Sequence, residues 1–239
     1  MINMDTFQKG SIVHGLVILT SLAVLAAIVW YSRKKAKKGK SSAAAFRQCL
    51  GLTVLVFQMM HTMYWLVWRD GGFNWKESLP IHVCDLAGLL AAAALLFPAR
   101  RLVAVFYFWG VGLSSLAFII PVIEEGPGYV VFWSFWVSHF IIVGGALFFV
   151  LAEGFRPTGK DLGLALIVSA VYGLAIFAVN SKLGSNYGYI GEHSPATAFF
   201  GPWPARIPLI FAAGVLLQFF AWLPFLLHDR WRTHLAASS

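Results

Sequence analysis

The sequence predicts an all-α polytopic membrane protein, a bundle of seven transmembrane helices with its N-terminus outside and its C-terminus cytoplasmic. Three observations predict it. The 239 residues are 59% hydrophobic and 12% charged, with a mean hydropathy of +0.74, whereas soluble domains run to roughly 45–50% apolar and about 25% charged. A chain of this size has too little interior to hide so much apolar surface from water. Its apolar residues fall into seven runs of helix-spanning length, and the basic residues between them alternate in number from loop to loop. Disorder, a secreted disulfide scaffold and a nucleic-acid-binding domain are excluded on these grounds, despite the net charge of +8.

A bilayer core of about 30 Å takes around 20 apolar residues per helix. The runs are residues 12–31, 46–68, 81–97, 102–120, 130–152, 162–181 and 207–227, in a single membrane domain. The first has its positive charge after the apolar stretch and no small-residue cleavage site, so it reads as a span and not a signal peptide. The third is short, at 17 residues, and is bounded by Pro80 and Pro98, with Ser78 the expected N-cap. Its small residues Ala87, Gly88, Ala91 and Ala92 allow close helix approach, which points to a central position.

The loop after the first run (RKKAKKGK, then Arg47), together with Arg100, Arg101, Arg156, Lys160, Arg230 and Arg232, puts 13 Lys and Arg on one side. Lys9, Arg69, Lys76, Lys182 and Arg206 put five on the other, with the acidic pair Glu124–Glu125. Cytoplasmic loops carry the basic excess, which sets the orientation. The charge is thus a topology signal, with Arg33–Lys40 also able to meet anionic headgroups. The long connection Lys182–Arg206, rich in Gly, Asn, Tyr and Pro, lies outside.

Ionisable groups inside spans are costly and are functional candidates by default. His14, His61, His82, Cys84, Asp85 and His139 come from four helices, and all fall in the outer half. At 1.5 Å per residue, His61 lies about 10 Å and His139 about 13 Å below the outer surface. The inner half has no equivalent cluster; Glu153 is expected to pair there with Arg156 at i, i+3. Cys49 reads as inert. Asn180, Asn186 and Tyr187 either line the pocket mouth or hold the loop.

Helix phase places His82 and Asp85 on one face, so that Asp85 orients His82, while Cys84 looks elsewhere with His139 at comparable depth. Three chemistries use such a set. Nucleophilic catalysis by Cys84 needs a histidine base and a group to orient it. Metal binding would use His, Cys and Asp, although His82 and Cys84 point apart. In the plainest case each group only satisfies a hydrogen bond between helices.

The segments WKESLPIHVCDLA (75–87), YFWGVG (107–112), SHFIIVGGALFFVLAEGFRP (138–157), VNSKLGSNYGYI (179–190) and GPWP (201–204), with His14, resemble the YwaF-type family of bacterial seven-helix membrane proteins. That family is similar, more distantly, to the animal membrane acyltransferase that makes polyunsaturated ether phospholipids, and more faintly to membrane hydrolases of fatty-acid esters of hydroxy fatty acids. The resemblance implies transfer of an acyl chain between phospholipids through a cysteine thioester, with Cys84 of LPIHVCDL as nucleophile and His139 of VSHF as its assistant.

The expectation is therefore a multi-pass plasma-membrane transacylase acting on phospholipids and lyso-phospholipids, with no cofactor and no metal. Cys84, His139, His82 and Asp85 would form the catalytic set; His14, His61, Asn180, Asn186 and Tyr187 would contact substrate. His82, His61, Asn186 and Tyr187 are candidate oxyanion donors. Two rivals share the pocket: a receptor or carrier for a lipid or small polar ligand, and a lipid hydrolase in which water is the acceptor.

Overall fold

The computed structural model describes residues 4–68 and 71–237, with side chains as far as residue 232, so Arg69 lies outside the described residues. The described chain is helical. Helix α1 is Ile12–Lys38, α2 is Lys40–Met63 and α3 is Val83–Leu96; α4 starts at Arg100–Tyr107; α5 is Val130–Leu151, α6 is Gly159–Leu183 and α7 is Ile207–Ala237. Among the described residues, six helices are long and apolar enough to cross a membrane. The exception is α3, whose 14 residues span about 21 Å.

The outward faces carry the lipid signature. Ile167, Val171 and Leu174 of α6 and Leu216 and Phe220 of α7 are all more than half exposed. The core is small-residue and aromatic: Ala87, Ala91, Ala94, Phe106, Phe108, Ile142 and Phe148 are buried. As the small residues predicted, α3 lies at the centre, against α2, α4 and α5.

Several helix ends differ from the sequence expectation. The basic segment after the first span is helical, not a loop: α1 runs through Arg33 to Lys38, and only Gly39, at φ 131°, separates it from α2. Lys and Arg are good helix formers, and their charge suits a helix C-terminus; glycine alone tolerates such a φ. Arg33 donates from Nε and Nη2 to the Leu151 carbonyl at 3.2 and 2.8 Å, closing the end of α5. The N-cap of α3 is His82, not Ser78, whose Oγ instead accepts from the Asn74 N–H. Glu153 pairs with Arg47 at 3.7 Å, while Arg156 reaches Asp229 of α7 at 3.0 Å. A neighbouring helix thus outcompetes the i, i+3 partner in both cases.

Helix α4 changes pitch along its length. After Tyr107 it widens into a π-helical stretch, Phe108–Leu113, and then tightens into a 3-10 turn, Ser114–Phe118. Two glycines in the wide stretch make the packing possible. A Cβ on Gly110 would lie 2.8 Å from Ala146 Cβ and 2.9 Å from the Ile142 carbonyl, and one on Gly112 would lie 3.0 Å from Gln218 Cγ. So α5 and α7 close on α4 where it has no side chains. Trp109 donates to Ser169 Oγ at 2.9 Å, and Ser169 in turn exchanges a hydrogen bond with Gln218.

The loop between α6 and α7 is built around Asn180, one turn from the end of α6. Its Oδ1 accepts from Tyr187 N–H (2.9 Å) and Ser185 Oγ (2.8 Å), and its Nδ2 donates to the Tyr187 carbonyl (2.8 Å). The buried Arg206 clamps the far side, donating from Nη2 to the carbonyls of Gly191 and Glu192 at 2.6 Å.

Two substitutions test this packing. Gly110→Val should destabilise the folded protein by about 1–3 kcal/mol through overpacking. Gly163→Ala, in a helix with open space around it, should be neutral or slightly stabilising. Thermal denaturation of the purified protein, read by gel filtration, checks both. Asn180→Ala strands three buried hydrogen-bonding groups, at about 1–3 kcal/mol each when left unpaired, and should expose the loop to proteolysis at temperatures where wild type resists.

Candidate active site

The first turn of α3 organises the site. His82, at φ −61° and ψ 152°, is the N-cap, and the Asp85 carboxylate folds back so that Oδ2 accepts the His82 backbone N–H at 3.0 Å. This satisfies a donor that a helix start leaves orphaned, and it fixes both the carboxylate and Cys84 one residue before it. The expected side-chain contact from Asp85 to His82 is not what forms. The other carboxylate oxygen, Oδ1, lies 3.7 Å from His61 Nε2 on α2. The His82 ring instead accepts the Gly188 N–H on Nδ1 (3.3 Å) and packs edge-on against Tyr187.

These groups face a cavity of about 320 Å³ where α2 ends and α3 begins. His61, His82, Cys84, Asp85 and His139 all line it, so five of the expected residues from three helices do converge. The Cys84 thiol donates to Ser114 Oγ at 3.8 Å, where α4 has just left its π-helical stretch. His139 is buried; its Nδ1–H donates to the Phe135 carbonyl at 2.8 Å, and its ring lies 4.3 Å from that of Phe135. A carbonyl only accepts, so the proton sits on Nδ1 and the lone pair on Nε2 is left as the basic one. His61 Nδ1 is 2.6 Å from Ser134 Oγ on α5.

Four expected residues are elsewhere. His14 is buried in an aromatic cluster with Phe7 and Trp136, and both its ring nitrogens are used: Nδ1 accepts the Gly10 N–H at 3.0 Å and Nε2 donates to the Phe118 carbonyl at 3.1 Å. It fastens α1 to the end of α4. Asn180 holds the loop, as described. Asn186 Oδ1 accepts the Gly191 N–H at 3.1 Å. Tyr187 is fully buried, its hydroxyl accepting from Leu79 N–H (3.0 Å) and donating to the Trp75 carbonyl (2.8 Å). For the asparagines and this tyrosine the loop-holding alternative is the one the structure takes.

Other groups in the wall had no part in the sequence reading. Ser134 and Ser138 stand four residues apart on the cavity face of α5, a polar stripe visible in the sequence at helical spacing. Tyr189 had no such signal, and neither did Ser114, which meets the Cys84 thiol from behind the wall without lining the cavity. Tyr189 sits at φ 59°, a left-handed conformation uncommon for a non-glycine residue and enriched at functional sites. Burial pushes its phenol above the ordinary tyrosine range, so it stays protonated and able to donate. Among the described residues no three His, Cys, Asp or Glu side chains converge to hold a metal ion. On the far side of α3 lies a second concavity, of about 550 Å³, lined by Leu86, Leu89, Leu90 and other apolar residues, with Arg101 at its edge.

A thiol, an imidazole with a free lone pair and a protonated phenol around one cavity can run nucleophilic chemistry on an ester. Comparisons with the curated proteins and with the solved structures found no match to this chain. The model of the TMEM164 family, a multi-pass transmembrane family, matches residues 10–223. That match runs from the capping turn of α1 into α7 and takes in every residue of the cavity wall, and on it the chain belongs to the TMEM164 family.

Proposed function

We propose that this protein is a membrane phospholipid transacylase that carries the acyl chain on Cys84 and uses His139 as its base. The observation that carries the reading is that Cys84 and His139 line one cavity with His139 Nε2 unprotonated. The family's link to ether-lipid acyltransferase activity supports it, and so does the resemblance to YwaF-type proteins, the finer placement we propose within that family.

The steps follow from the side chains. His139 Nε2 takes the thiol proton as Cys84 Sγ attacks the acyl carbonyl carbon. The ester C–O bond breaks, and the leaving lyso-phospholipid oxygen takes the proton from His139. A second lyso-phospholipid then gives its hydroxyl proton to Nε2 and attacks the thioester, and the thiolate leaves and is reprotonated. Tyr189 and the ring of His82 are the oxyanion donors we propose, since both nitrogens of His61 face Ser134 and Asp85 instead; one such donor is worth about 10²–10³-fold in rate. The expected donors Asn186 and Tyr187 are replaced in this role, because their polar groups are committed to the loop. The asymmetry of Lys and Arg supports an N-terminus outside and a cytoplasmic C-terminus, with the cavity on the outer side; the plasma membrane is the location we propose.

The deciding experiment incubates purified protein with a phospholipid bearing a labelled acyl chain and an unlabelled lyso-phospholipid, with lipid products read by mass spectrometry. Wild type should move label onto the lyso-lipid, and Cys84→Ser should abolish transfer. Full transfer by Cys84→Ala overturns the mechanism. His139→Ala should slow transfer by about 10²–10⁴-fold, the usual worth of a general base. His14→Ala should instead lower the unfolding temperature and leave the rate per folded molecule near wild type.

A further inference from the structure

The mechanism above leaves one constellation in the cavity unused. Ser134 of α5, His61 of α2 and Asp85 of α3 form a chain: Ser134 Oγ lies 2.6 Å from His61 Nδ1, and His61 Nε2 lies 3.7 Å from Asp85 Oδ1. Two of its three members are held from outside. The carboxylate is anchored by the His82 N–H on its other oxygen, and the His61 ring is flanked by Phe57 and Trp65, at 6.0 and 6.5 Å. A carboxylate facing Nε2 favours the tautomer with its proton there, which leaves Nδ1 as acceptor for the Ser134 hydroxyl. This is the order serine, imidazole, carboxylate in which a hydroxyl is activated for attack. Ser134 is half-buried and borders the open cavity. A hydrogen bond that only tied α2 to α5 would need neither the cavity nor the carboxylate.

The geometry points to Ser134 as a second nucleophile, activated by His61 and Asp85, that hydrolyses carboxylic esters of lipids in the same cavity. The apolar wall beside it, from Val131, Phe135 and Ile123, suits an acyl chain. Ser134 Oγ bonds to the ester carbonyl carbon as its proton passes to His61 Nδ1. The ester C–O bond breaks, and the leaving alcohol takes that proton. Water then gives a proton to Nδ1 as its oxygen bonds to the acyl carbon, the bond from that carbon to Ser134 Oγ breaks to release the fatty acid, and Nδ1 returns the proton to Ser134 Oγ. This activity does not depend on the Cys84 thioester.

The test treats the full-length protein in detergent with a long-chain alkyl fluorophosphonate and locates the adduct by peptide mass spectrometry. Wild type should be labelled on Ser134, and Cys84→Ala should be labelled at a similar rate. His61→Gln and Asp85→Asn should each slow labelling by about 10²-fold, the lower range for loss of a positioned base, and Ser134→Ala should lose the adduct. If the His61 variant elutes as aggregate on gel filtration, His61→Gly with added imidazole replaces it, and rescue of labelling is the expected result. No adduct on Ser134 in wild type, or one whose rate ignores both His61 and Asp85, overturns the inference. The two readings fail separately: Cys84-dependent transfer without Ser134 labelling removes only the serine, whereas Ser134 labelling with Cys84-independent transfer removes only the thioester.

Discussion

A helix that begins inside a protein built for lipid has to satisfy its first backbone N–H groups without water, and α3 begins in that position. Asp85 answers the demand by folding back onto the His82 N–H, and much of the site depends on that contact. It holds a carboxylate among apolar helices with one oxygen already occupied. It turns the other oxygen toward α2, which is why His61 is drawn there. It sets the first turn of α3, which aims Cys84 at α4 and the cavity. It also leaves the His82 ring free to receive the loop through Gly188. One cap thereby ties α2, α3 and the loop into a single arrangement.

The bundle around that cap is closed by omissions as much as by contacts. Gly110 and Gly112 let α5 and α7 approach α4, and the wide pitch there delivers Ser114 to the Cys84 thiol. Gly88 does the same between α3 and α2, since a Cβ there would overlap Gln58 Oε1. Polar cross-ties then fix register where apolar packing alone would slide, as with Trp109, Ser169 and Gln218. In lipid, small residues for closeness and a few hydrogen bonds for specificity replace the hydrophobic drive of a soluble core.

Much of this is legible in the sequence because the bilayer imposes a length and a polarity. The spans follow from hydropathy, and the meeting of Cys84, His82, Asp85, His61 and His139 follows from counting residues inward from one surface. Depth, however, is one coordinate of three. It places His14 with the others, but the rotation of α1 carries that ring into an aromatic cluster. It cannot tell that Asp85 chooses His61, because the choice depends on how α2 is turned against α3. Ser134 and Tyr189 escape for the same reason: one needs the register of α5 against α2, and the other a loop conformation stabilised by a residue, Asn180, that lies outside the cavity wall. Helix ends fail where charge and helix propensity agree against hydropathy, as at Arg33–Lys38.

The shortness of α3 bears on how a lipid meets the site. A helix of about 21 Å in a hydrocarbon layer of about 30 Å is mismatched by about 9 Å. If its Pro98 end lies at one boundary, its first turn stops well short of the other. Mismatch of this kind is relieved by local thinning of the bilayer around the protein. On the proposed transacylase function, thinning on the cavity side is what brings the glycerol ester linkages of neighbouring lipids down toward Cys84, so that a lipid substrate need not climb out of its leaflet.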